Sequence, residues 1–304
     1  MRVLVGTEQG VVAVSDDGTV RAELDGTARA LSTDGPRGCW AALDGDSLAR
    51  RDPEGRWTRW RLDVEAPITA VLPIGGAALV GTAAGRLWSV TAGDAAPFTG
   101  FDRVAGRGDW HAVGSRAPYV RSLSATVDDG AWLASVHVGG IPRSTDGGAS
   151  WDPTVDGDVD VHQVRAHPLE SATVMAAAAV GLLESHDGGA TWSSPSTHGL
   201  HATYLRAVAF AGGAVLVSAS DGPRGHRAAL YRRPHGASAF ERCQVGLPEW
   251  LPGIVDTGAL DARGSDVAAG TGESLFASED SGESWRILAS GLPSVRGVAL
   301  VEPR

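Results

Sequence analysis

The chain has 304 residues, enough to bury a large core as one all-β domain. Its 41 Gly and 16 Pro suit many tight turns and argue against a helical protein. A formal net charge of −10, no nucleic-acid-binding motif and no apolar run near the ~20 residues of a membrane helix leave nucleic acid and membrane outside the expected partners. Cys39 and Cys243 stand far apart in different repeats, with neither a disulfide framework nor a metal-ligand spacing.

The elements follow one another as short strands. RVLVGT and GVVAVS read as second and third strands of a partial blade, closed by a turn at Asp16–Gly18. With no apolar leader ahead of them, a cytoplasmic location is the expectation. Apolar strands then begin near Arg29 (ARAL), Thr69 (ITAVL), Arg121 (VRSLSA), His162 (VHQVRAHP), Arg206 (LRAVAF), Asp256 (VDTGAL) and Arg296 (VRGVAL). These starts lie 40 to 52 residues apart, the length of a four-stranded blade. Second strands follow most of them, as at Ala77–Val80, Trp132–Val136 and Val267–Ala269.

Three octapeptides punctuate the later repeats: STDGGASW at 144–151, SHDGGATW at 185–192 and SEDSGESW at 278–285. Their pattern is S-x-D-x-G-x-[ST]-W, with degenerate copies at SDDGTV (15–20) and DPEGRW (52–57). Gly148, Gly189 and Gly282 permit positive φ in a tight hairpin. Ser144, Ser185 and Ser278, with Asp146, Asp187 and Asp280, supply side-chain oxygens for turn N–H groups. Trp151, Trp192 and Trp285 cover the hairpin. These residues are expected to serve structure.

The octapeptides resemble the Asp-box, or BNR, repeats of sialidase-like propellers. The resemblance implies that each box joins the third and fourth strands of a blade, on the face away from a ligand site. It is similar in style to single-domain, seven-bladed photosystem II assembly factor-like propellers.

Together these features predict an all-β, single seven-bladed β-propeller of four-stranded blades. The last strand start leaves no room for three more strands, so residues 295–304 are expected to close the ring with residues 1–26. The other blades are expected over 27–63, 64–110, 111–157, 158–201, 202–251 and 252–294.

Strand alternation puts the inner-strand starts at the channel mouth, opposite the boxes. Arg29, Arg121, His162, Arg206, Asp256 and Arg296 are therefore candidate ligand-binding residues, since Arg suits carboxylate or phosphate. Long loops on that face add Trp110 and His111 (102–119), His198 and His201 (194–203), and Trp250 (243–253). Trp110 and Trp250 could stack on a ligand, and Tyr204 lies two residues before Arg206. The expected role is non-catalytic binding or assembly, toward an unknown protein or a small anionic or carbohydrate ligand, by a monomer.

Two enzyme readings stand beside it. A sialidase-like glycoside hydrolase would need an F/Y-R-I-P segment, but Ile141-Pro142 follows Gly140, and the only Tyr are Tyr119, Tyr204 and Tyr231. A lyase would need His111, His162 and Asp256 to converge. The His pairs 162/167 and 198/201 lack metal-ligand spacing, so neither metal nor cofactor is expected.

Overall fold

A computed structural model describes residues 1–303 apart from 116 and 129. Seven antiparallel sheets stand around one axis. Six have four strands, and one has three. The strands are rich in Val, Ala and Leu, with buried runs such as Ala214–Ser220 and Val174–Ala178. Small and β-branched residues let both faces of a sheet pack closely.

The core is divided among the seven gaps between sheets. Each gap holds its own apolar cluster with side chains from two neighbouring sheets. Trp40, Leu48, Ile68 and Val80 fill one gap, and Leu216, Leu260, Phe276 and Trp285 fill another. No sheet buries both faces unless the ring is complete, so closure matters. The strand Val295–Val301 pairs antiparallel with Arg2–Thr7, from Arg2 opposite Val301 to Gly6 opposite Gly297. This sheet then continues through Gly10–Ser15 to Val20–Asp25, and the ring has no open edge at its axis.

Blades converge toward the axis, which leaves little room for side chains. A Cβ on Gly81 would lie 2.6 Å from Val120 Cβ, and one on Gly270 would lie 2.4 Å from Val295 Cγ1. These glycines set how near adjacent inner strands can come.

The sheet built on Val161–Ala166 stops after Gly181–Ser185. A fourth strand is replaced by one isolated bridge, Leu182 to Ser196. Pro195 stands next to that bridge and has no N–H to extend the ladder. Among the described residues the only helices are two three-residue 3-10 turns, Phe101–Arg103 and Arg107–Asp109. Among the described residues no helix is long and apolar enough to cross a membrane.

Candidate functional site

The octapeptide hairpins define one face. In the first, Gly148 N–H and Asp146 N–H donate to Ser144 Oγ at 2.9 and 3.4 Å, and Ser144 Oγ–H donates to Asp146 Oδ1 at 2.8 Å. Ser150 N–H and Oγ–H donate to the two oxygens of Asp146 at 2.9 and 2.6 Å. The same bonds recur around Asp187 and Asp280. The Trp151 and Trp285 indoles donate to the Gly148 and Gly282 carbonyls, each at 3.1 Å. Trp192 differs: its indole donates to Thr154 Oγ1 in the neighbouring blade at 3.0 Å. Hydrogen bonds from Ser150 and Thr191 pull the Asp146 and Asp187 carboxyls down to about 2. Partial burial pulls Asp280 up, but Ser284 and Ser278 bring it to about 2 as well.

The opposite face is organised by bulges. The ladder between first and second strands skips Arg29, Thr69, Arg121 and His162, one residue in each of four sheets. It skips Arg206 together with Ala207, and in the closing sheet it skips Arg296. A bulge frees a residue from strand alternation and re-aims its side chain. The inner-strand starts are thus six bulged positions. At the seventh, Asp256 lies in a turn ahead of the strand Leu260–Arg263.

These positions have different fates. Arg29 is exposed on the wall of a channel of about 600 Å³ and has no ion-pair partner among the described residues. Arg296 is 54% exposed, with Glu8 3.9 Å away. Arg121 and Arg206 both reach Asp256, at 3.2 Å and at 2.9–3.0 Å. Enclosure pushes the Asp256 carboxyl up, but Arg121, Arg206 and the Thr257 N–H more than reverse this, so it is held below the ordinary carboxylate value. Thr257 Oγ1 also donates toward the His162 and Arg206 carbonyls at 3.1 and 3.2 Å.

His162 is fully buried and turned sideways. Its Nδ1 bonds the Leu205 carbonyl of the next inner strand, and its Nε2 lies 3.2 Å from Asp160 Oδ2. It therefore offers no ring to a channel ligand, contrary to its expected role. Around it runs an arc of rings. Tyr119 lies 4.8 Å from His137, His137 lies 6.3 Å from His162, and His162 lies 4.7 Å from Tyr204. The Arg121 and Arg206 guanidiniums stand over the Tyr119 and Tyr204 rings. Burial, then Arg121, pushes the His137 imidazole down to about 4.

The loop residues go elsewhere. Trp110 is buried against Phe101, with the Arg107 guanidinium over its ring, so it anchors its loop and presents no platform. Trp250 is covered by Arg242, 3.9 Å from the ring, and by His201 and Arg227. His111 is exposed and contacts the Asp109 carbonyl. No bond joins His111, His162 and Asp256, so the acid–base trio of the lyase reading is not assembled. Arg116, in the same loop as Trp110, lies outside the described residues.

Tyr119, His137 and Asp160 were not among the sequence candidates. Asp160 had a signal only in its nearness to His162, two residues on, since it stands just ahead of the strand Val161–Ala166. His137 had none, since it joins the group only through the ring.

The fold is a seven-bladed propeller. No family model matches the chain, and no curated protein matches it. Solved structures do. An ancestral GH74 enzyme aligns at 14% identity and TM-score 0.59, over 83% of this chain and 36% of its own length. The WD40 β-propeller domain of Doa1 aligns at 11% identity and TM-score 0.66, over 99% and 90%. YCF48 bound to D1 peptide aligns at 16% identity and TM-score 0.59, over 86% and 82%. The chain thus spans about a third of the GH74 enzyme. At these identities the likeness concerns fold.

Proposed function

We propose that this propeller works by binding, without catalysis, and that its channel mouth receives an acidic segment of a protein partner. The observation that carries the reading is the charge arrangement. Two guanidiniums, Arg121 and Arg206, share the single carboxylate of Asp256. Arg29 has no carboxylate partner among the described residues, and Arg296 has only a distant one. An incoming carboxylate would meet donors that are already oriented. Propellers of similar fold include YCF48, solved with a peptide bound, which supports a peptide ligand for this one.

The glycoside hydrolase reading has less behind it. A general acid needs a carboxyl that keeps its proton near neutrality. Asp256 is held ionised between two Arg.

The test is fluorescence anisotropy with a labelled Glu/Asp-rich peptide, with sialic acid and phosphate titrated in parallel. Binding of the peptide is expected, weakening with salt. Arg29→Ala and Arg296→Ala should each raise Kd about 5-fold, the worth of a partly exposed ion pair of about 1 kcal/mol. No peptide binding at low salt, or wild-type affinity in both variants, would overturn the proposal. Binding of only the small anions would replace the protein partner with a small ligand.

A further inference from the structure

The arc of rings contains three groups whose chemistry is unfinished. His137, Asp160 and His162 each offer one atom, and these atoms all lie within 4.8 Å of one another. His137 Nε2 lies 3.3 Å from Asp160 Oδ1, and His162 Nε2 lies 3.2 Å from Asp160 Oδ2. Yet His162 Nε2, Asp160 Oδ1 and His137 Nδ1 are buried without a hydrogen-bond partner. Buried polar atoms are ordinarily satisfied, so such a group needs an explanation.

The tautomer of His162 sharpens the point. Its Nδ1 faces the Leu205 carbonyl, and a carbonyl only accepts, so Nδ1 carries the hydrogen. In the neutral ring, Nε2 then turns a lone pair toward a carboxylate oxygen. Two acceptors at 3.2 Å repel unless a cation lies between them. An imidazolium N–H would aim at that oxygen, and no aligned hydrogen bond is made there.

A metal ion answers the unpartnered His162 Nε2 and the Asp160 carboxylate beside it. Imidazole nitrogen and carboxylate oxygen bind Zn²⁺ at about 2.0–2.2 Å, and a tetrahedron of such bonds has edges of about 3.3–3.6 Å. The His162 Nε2–Asp160 Oδ2 separation of 3.2 Å comes close to such an edge, and His137 Nε2 stands 3.3 Å from the other oxygen of the same carboxylate. A metal-bound His usually donates its other N–H to a carbonyl or carboxylate, as His162 does to Leu205.

We propose that His137, Asp160 and His162 form a binding site for a divalent transition metal of the zinc class, with His162 Nε2 and an Asp160 oxygen as its fixed ligands. Three protein ligands leave a fourth position for water or an exogenous oxygen. Asp160 and His162 come from one strand start and His137 from the end of the neighbouring blade's second strand, so the ion ties two blades together. The site stands whether or not the mouth receives an acidic partner.

The experiment uses the full untagged chain, stripped with chelator and titrated with Co²⁺ and then Zn²⁺. One equivalent of Co²⁺ should give the strong visible absorption of a four-coordinate site, and Zn²⁺ should displace it. Asp160→Asn and His137→Gln, each checked for folding by circular dichroism, should bind at least about 10-fold more weakly, as loss of a ligand costs no less than loss of its outer support. Absence of stoichiometric binding by the wild-type chain would overturn the site. So would unchanged binding in both variants, which would place the ion on other His residues.

Discussion

Asp187 finds every hydrogen-bond partner within four residues of itself, whereas Asp256 finds its two guanidiniums 50 and 135 residues away. The first is a closed local device, repeated at Asp146 and Asp280 with nearly the same distances. Its bonds form once eight residues turn back on themselves. The second exists only when three separate blades stand around one channel. Loss of a hairpin carboxylate should therefore act within its blade, whereas damage at the mouth should spread between blades.

The largest effect tests the mouth. Asp256→Ala leaves the Arg121 and Arg206 guanidiniums facing each other. Breaking a fully buried pair costs about 3–5 kcal/mol, and here about 2–3 kcal/mol is expected because water still reaches the channel. The Asp256 side chain is 47% exposed. Urea unfolding measures this, and a loss below about 0.5 kcal/mol would show that the mouth is not held together through Asp256.

Next comes a matched pair of double-mutant cycles. Arg121→Ala and Arg206→Ala act on one carboxylate, so their effects should couple by about 1 kcal/mol or more. Asp146→Ala and Asp280→Ala sit in non-adjacent blades, so their effects should add within about 0.5 kcal/mol. Coupling in the hairpin pair, or its absence in the mouth pair, would erase the distinction between them.

The smallest effect is in acid. Asp146, Asp187 and Asp280 are held at about 2, below the ordinary 3.8. Their unfolded forms take up protons first, so the stability they provide is complete above about pH 4 and is lost as pH falls toward 2. Because hydrogen bonds are the lowering cause, the loss should persist in high salt. Asp187→Asn should begin with a lower Tm and lose less of it across that window. Parallel Tm curves for the two proteins would remove the hairpin carboxylates from acid unfolding.

How much was legible follows from the same contrast. The hairpins could be read because Ser, Asp, Gly and Trp recur at fixed spacing and bond to one another. The seven-fold ring could be read from the strand starts, and its closure from the short ends. The level of Arg29, Arg121, Arg206 and Arg296 also followed from register. The direction in which each side chain turns did not. His162 turns to Leu205 because the next blade presents a carbonyl there, and no local pattern announces that. Trp110 goes into a core built from Phe101 and Trp151, which only the folded loop reveals. The missing fourth strand beside Pro195 could have been suspected from the proline, but the bridge at Ser196 could not.

The bulges at the inner-strand starts bear on how this protein can change. A residue skipped by the ladder carries side-chain identity without carrying strand pairing. Arg29 and Arg296, exposed and skipped, can thus be exchanged for almost any side chain while the sheets beneath them keep their register. Thr69 and His162 lack that freedom, since each bonds the backbone of the adjacent inner strand. The mouth is accordingly part alphabet and part hinge pin. A combinatorial library at positions 29 and 296 would sample new recognition at little cost to folding, and selection from it would redirect the propeller toward partners of another charge.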